Sequence, residues 1–147
     1  MPTITHQTDP TAIKQLGLLL DVQISVSFPQ LQKLQQMGSP IPKAVETVAL
    51  IDTGASISCI SPELANAARL VQRGVVLISG VGAEEQMSAP TYDAGMRFTS
   101  MNVMIPAIPL VGVKLAGQRI GCLIGRDLLS QGILIYHGKP GLFTLAF

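Results

Sequence analysis

One aspartate stands where a carboxylate could do chemistry: Asp52, in the run Ala49-Leu50-Ile51-Asp52-Thr53-Gly54-Ala55. A carboxylate that directly follows an apolar run sits at the end of a buried strand, where low dielectric makes a charge costly. Thr53 adds a hydroxyl, and Gly54 permits a tight turn and the close approach of another chain. Alone, Asp-Thr-Gly is also compatible with an ordinary surface turn. Chance alone supplies the triplet in roughly one chain in fifty of this size. Two further signals accompany it. Ser79-Gly80-Val81-Gly82 is a glycine-rich tip between two apolar stretches. Leu123-Ile124-Gly125-Arg126-Asp127-Leu128-Leu129 places Gly-Arg-Asp between an apolar pair and a leucine pair.

The elements that must position these residues can be read from hydrophobic period. Leu20, Val22, Ile24, Val26 and Phe28 alternate with polar residues, which predicts a half-buried strand from Leu20 to Phe28. Leu31, Leu34 and Met37 predict a short helix, stopped by Gly38-Ser39-Pro40. Val45 to Ile51 predicts a strand running into Asp52, and Ile57 to Ile60 another. Ser61-Pro62-Glu63 has the form of a helix start, with Ser61 as N-cap. Strands are expected at Val75–Ile78 and Glu85–Ala89, forming a long hairpin around the glycine-rich tip. Others are expected at Gly95–Phe98, Asn102–Ile105, Val111–Leu115 and Arg119–Ile124. A short helix follows from Gly125 to Leu129. A terminal hairpin, Ile133–Tyr136 and Leu142–Phe147, closes the chain. Residues 1 to about 15 are polar and read as a loosely held arm. The expected organisation is an arm over 1–17 and a single domain over 18–147.

Composition narrows the function classes. Of 147 residues, 48% are apolar and only 13% charged, which excludes a disordered chain. The net charge is +1, no Lys/Arg cluster occurs and aromatics are 4%, which argues against nucleic-acid binding. Low charge suggests a surface partly covered by a second subunit. Cys59 and Cys122 do not make a disulfide framework and read as small hydrophobes. Neither they nor His6 and His137 have metal-ligand spacing, so no metal and no cofactor is expected. The run Leu18-Leu19-Leu20 ends at Asp21, and no stretch has the length of a signal peptide or membrane span. The default expectation is a soluble, cytoplasmic protein without a membrane partner.

Asp-Thr-Gly-Ala after an apolar strand, then a glycine-rich hairpin tip, then Ile-Gly-Arg-Asp-Leu-Leu is an order that resembles the retropepsin family of single-domain aspartic peptidases. The resemblance covers residues 18 to 147. It implies an all-β fold, a closed or partly open β-barrel subunit with one or two short helices and a flap hairpin. It implies an aspartic endopeptidase active as a homodimer on peptide or protein substrates, with Asp52 catalytic and Thr53 bonding across the dimer axis. Gly54 then receives the substrate backbone. Ala55, Ile57 and Cys59 alternate toward side-chain pockets, with Leu123 on the opposite wall. Ile78, Ser79, Gly80 and Val81 form the flap. Gly125, Arg126 and Asp127 support the active-site loop from beneath, and the strand ending at Phe147 joins the dimer interface. Two carboxylates about 3 Å apart share one proton, so that one activates a water and the other protonates the scissile carbonyl. The family suggests acid to mildly acid conditions.

Three departures from the retroviral pattern stand out: Ser56 where those members carry Asp, the extra segment Pro29 to Lys43, and the acidic Ala83-Glu84-Glu85 beside the flap. Ser56 leaves the partner of Arg126 open, and the two acids are expected to solvate the flap. The main competing reading is a catalytically inactive dimer on the same fold, acting as a protein-binding or scaffolding module. An aspartyl-phosphate phosphotransferase lacks its continuation after Asp52, and a metallopeptidase lacks His-Glu-x-x-His.

Overall fold

The computed structural model describes residues 1–80, 84–115 and 119–147. Ten strands and four short helices occur among them. The strands are β1 (Thr3–Gln7), β2 (Leu18–Val26), β3 (Val45–Ile51), β4 (Cys59–Ile60), β5 (Gln72–Ile78), β6 (Met87–Phe98), β7 (Val103–Gly112), β8 (Ile120–Ile124), β9 (Ile133–His137) and β10 (Leu142–Ala146). The helices are α1 (Pro10–Leu16), α2 (Phe28–Gln36), α3 (Pro62–Ala67) and α4 (Arg126–Leu129).

Six strands close on themselves in the order β2-β3-β8-β4-β7-β6, with β6 returning to β2. Closure uses the length of β6: its first half, Met87 to Tyr92, pairs with β5, and its second half, Ala94 to Phe98, pairs with β2. Among the described residues, β5 is the one strand of this sheet with a neighbouring strand on a single side. The inward phase of each strand fills the barrel. Val22, Ile24, Ala49, Met96, Phe98, Leu110, Cys122 and Ile124 are all nearly or fully buried. The alternation read at Leu20, Val22, Ile24 and Val26 therefore has the expected meaning, but the strand begins at Leu18 and stops before Phe28. Phe28 opens α2 instead, because Pro29 fixes a helical φ at the second position.

A second sheet, β1-β10-β9, packs on the barrel. Phe143 and Leu145 of β10 enter the shared core, and Phe147 meets Phe98 with ring centroids 5.4 Å apart. The terminal hairpin is as expected; the N-terminal segment is not. Thr3 to Gln7 is a strand paired along its length with β10, and α1 buries Ile13. Asp9 caps α1 by accepting from the N–H groups of Thr11 and Ala12 at 2.9 and 3.1 Å. The polar pattern suggested a loose arm, but antiparallel pairing satisfies its backbone regardless of side-chain polarity.

Two other differences arise from punctuation residues. The strands expected at Glu85–Ala89 and Gly95–Phe98 are one strand, β6, and those expected at Asn102–Ile105 and Val111–Leu115 are one strand, β7. Pro90 does not break β6 because the ladder with β7 starts one residue later, at Thr91 opposite Val111. The strand expected at Ile57–Ile60 shrinks to Cys59–Ile60. The α3 start is as read: the Ser61 hydroxyl accepts from Leu64 N–H at 3.1 Å.

Candidate active site

The barrel delivers the two motifs to one place through a parallel pair. β3 and β8 run side by side with Ile51 opposite Ile124. The Asp52 N–H extends this ladder by one rung to the Ile124 carbonyl, at 2.9 Å. Asp52 and Gly125 therefore leave the sheet at the same level. Beyond that rung the chain turns, and Ala55 N–H reaches back to the Asp52 carbonyl at 3.2 Å. The Asp52 side chain folds over its own turn: Oδ1 accepts the Gly54 N–H at 2.8 Å. A Cβ on residue 54 would lie 3.0 Å from that same oxygen, so glycine keeps the carboxylate unobstructed. Asp52 is half-buried, while Thr53 and Gly54 are exposed.

Gly125-Arg126-Asp127 holds this turn from beneath. The Arg126 backbone N–H donates to the Ala55 carbonyl at 2.9 Å. Its guanidinium donates to the Thr53 carbonyl at 2.8 Å and the Gly54 carbonyl at 3.3 Å. With serine at position 56, Arg126 thus binds main-chain oxygens rather than a carboxylate. Gly125 is confined: a Cβ there would lie 2.7 Å from the Ile57 carbonyl carbon and 3.0 Å from the Ser58 nitrogen. Asp127 accepts from Ser58 N–H at 2.9 Å, from the Ser58 hydroxyl at 2.7 Å and from Leu128 N–H at 2.9 Å. The Ser58 oxygen in turn accepts Gly125 N–H at 3.0 Å.

Ser58 is the residue that sequence reasoning missed. It is fully buried and ties both motifs together. The available signal was strand phase: with Ile57 and Cys59 read as facing the cleft, Ser58 had to face inward, where a hydroxyl needs a partner.

The remaining candidates divide. Cys59 lies opposite Leu123 across the β4–β8 pair, so these two share a face, both half-buried. Ile57 is 42% exposed and Ala55 half-buried on the same stretch. Ile78 ends β5, with Ser79 and Gly80 exposed beyond it. Among the described residues none of these three hydrogen-bonds to the Asp52 turn. Val81, placed at the flap tip by sequence, lies outside the described residues, as does Ala83. Glu84 and Glu85 are exposed, in keeping with a solvated charge pair.

The thiols beside the site are held neutral. Burial, then the carboxylates of Asp127 and Asp52, push the Cys59 thiol up. Burial, with a smaller contribution from Cys59, pushes Cys122 up to about 12. Cys122 shares the inward face with Ile60, opposite to that of Cys59. No group of His, Cys, Asp and Glu suited to a metal ion occurs among the described residues. Nor is any helix there long and apolar enough to cross a membrane.

A closed six-stranded barrel with Asp-Thr-Gly and Gly-Arg-Asp turns locked together at one end defines a retropepsin-like fold. The aspartyl protease family profile matches residues 42–128, more than half of the sequence, and the chain belongs to that family. The fold is similar to the crystal structure of a retropepsin-like aspartic protease from Rickettsia conorii. That match has a TM-score of 0.53 and 14% identity, over 99% of this chain and 90% of that one. The solution structure of the simian foamy virus (mac) protease also matches, with a TM-score of 0.41 and 14% identity, over 75% of this chain and 89% of that one. No curated protein sequence matches the chain.

Proposed function

We propose that the chain is an aspartic endopeptidase that works as a homodimer, with one Asp52 from each subunit. The observation that carries this reading is the Asp52 turn itself. Its carboxylate is fixed by Gly54 N–H at 2.8 Å, and the turn's carbonyls are fixed by Arg126. The chain holds a single Asp-Thr-Gly, so a dyad requires a second copy. Brought close together, two such carboxylates share one proton. The ionised one takes a proton from water as it attacks the scissile carbonyl, and the protonated one gives its proton to the carbonyl oxygen. The roles then reverse and the amine leaves. Thr53 and Gly54 are exposed, which supports their meeting a partner loop and a substrate backbone. Cys59, Leu123 and Ile57 give the cleft an apolar wall, which favours apolar side chains around the cleaved bond.

The expected dimer contact moves from β10. Both its edges are occupied within the chain, by β1 and β9, and Phe143 and Leu145 belong to the core. Deleting Leu142 to Phe147 would therefore damage the fold rather than probe an interface. Among the described residues the outer edge of β9 is unpaired; the strand carries exposed Ile133 and Ile135, and its edge is the one we assign to the second subunit.

Cleavage of an unstructured peptide library at several acidic pH values tests the reading, with wild type and Asp52→Asn in parallel and sedimentation of both. Wild type is expected to cleave as a dimer, and Asp52→Asn to lose at least about a thousand-fold in rate while remaining dimeric. Equal cleavage by the two would sink the catalytic role of Asp52. A cleaving wild-type monomer would sink the paired site. A folded dimer that cleaves nothing would point to the scaffolding alternative.

A further inference from the structure

Beneath the Asp52 turn, Asp127 accepts hydrogen bonds on both of its oxygens. Oδ2 takes the Ser58 N–H at 2.9 Å. Oδ1 takes the Leu128 N–H at 2.9 Å and the Ser58 hydroxyl at 2.7 Å. The Ser58 oxygen already receives the Gly125 N–H at 3.0 Å. Ser58 is fully buried, and Asp127 is the only acceptor its hydroxyl reaches among the described residues. Three donors on two oxygens fit an ionised carboxylate. A proton on Oδ2 would meet a donor, the Ser58 N–H. A proton on Oδ1 could turn to the Ser58 oxygen, but the Ser58 hydrogen would then be buried without an acceptor. An amide fits no better: a backbone N–H meets each oxygen, so the NH2 of an asparagine would face one of them.

Protons can reach this carboxylate. Asp127 is half-buried and lines an open groove of about 430 Å³ with Leu128, Gln131 and the Ile105–Pro109 stretch of β7. That stretch carries no charged or titratable side chain. The charged or titratable groups near Asp127 are Cys59 of β4, Arg126 beside it on α4, and Asp52. Burial, then Asp127 and Asp52, push the Cys59 thiol up, so it stays neutral, and Arg126 stays charged. In acid, Asp127 and Asp52 are therefore the two groups here that take up a proton.

We infer that Asp127 is a positioning residue for Asp52: ionised, it holds the turn through Ser58 and Gly125, and a proton on it releases the turn. The path is short. Ser58 follows closely on Ala55, and Gly125 directly precedes Arg126, which binds the Thr53, Gly54 and Ala55 carbonyls. A carboxylate held by donors stabilises the fold while ionised, and that contribution is lost as pH falls. The turn thus has a proton-sensitive support separate from the paired aspartates. The support is a property of this chain's fold; its effect on turnover rests on the peptidase reading.

Amide NMR of the full chain carrying Asp52→Asn, titrated towards acid, tests the support with the catalytic carboxyl removed. The Ser58, Gly125 and Leu128 amide signals are expected to move together, and those of Gly54 and Ala55 to move with them. Adding Asp127→Asn should abolish the joint movement. Turn signals that stay still while Ser58 and Leu128 titrate would overturn the inference, as would joint movement that survives Asp127→Asn. In cleavage assays normalised to folded protein, Asp127→Asn is expected to lower kcat on the order of tenfold and to change KM less than about twofold. An unchanged kcat per folded chain would show support of the fold alone and overturn the positioning role. If Asp127→Asn does not fold, the titration of the Asp52→Asn chain still decides. A wild type that cleaves nothing would sink the peptidase reading, while joint movement of the amides would still uphold the support.

Discussion

The Asp52 turn and the β5–β6 hairpin are built in opposite ways. Beneath the turn, Ser58, Gly125, Arg126 and Asp127 make a continuous hydrogen-bond web with a fully buried hydroxyl at its centre. Among the described residues the outer hairpin is joined by its mutual ladder, and Val75, Leu77 and Met87 stand 60 to 67% exposed along it. A carboxylate meant to act at a fixed point needs its support locked, whereas a strand pair meant to cover a cleft needs apolar surface and few fixed contacts. On the proposed reading the contrast is that of a rigid platform and a free cover, and each half can be tested alone.

The largest effect is expected at Gly125→Ala. The added methyl would press on the Ile57 carbonyl carbon at 2.7 Å and on the Ser58 nitrogen at 3.0 Å, which are backbone atoms that cannot swing aside. A loss of about 2–4 kcal/mol in denaturant unfolding is expected, together with loss of activity. A stable Gly125→Ala chain would show that the platform yields, and the contrast with the hairpin would fail. Ser58→Ala is milder. Gly125 N–H loses its acceptor and one Asp127 oxygen loses a donor, while Ser58 N–H and Leu128 N–H still hold the carboxylate. About 1–2 kcal/mol is expected from the same measurement. A change near zero would mean that water replaces the hydroxyl and the web is less closed than its geometry implies.

How much of this was legible follows from the reach of each interaction. The strand into Asp52, the Ser61 cap and the Gly-Arg-Asp turn before a helix are local patterns, and they lie where the pattern put them. The role of Ser58 depends on Asp127, 69 positions away, so no local window contains it. β1 is more extreme. Its residues are mostly exposed and polar, and its strand exists because β10 pairs with it from the other end of the chain. α1 buries only Ile13, too little for a hydrophobic period to appear. Our proposal moves the dimer edge off β10 for a similar reason: the sequence shows that the last strand is apolar, but not that β1 and β9 pair with both its sides.

The smallest effect on stability should come from Leu77→Ser. Leu77 is 64% exposed and opposite Ser88 on a ladder that the substitution leaves intact. Unfolding should shift by no more than about 0.5 kcal/mol. The same change should raise KM for an apolar peptide roughly tenfold with little change in kcat, because an apolar contact made equally in ground and transition states is lost. That split is what separates a cover from a support. A fall in stability beyond about 2 kcal/mol would mean that Leu77 packs against something in the assembled protein, and the hairpin would then belong with the platform. An unchanged KM would mean that this stretch of the hairpin lies outside the substrate's reach, leaving specificity to Ile57, Cys59 and Leu123.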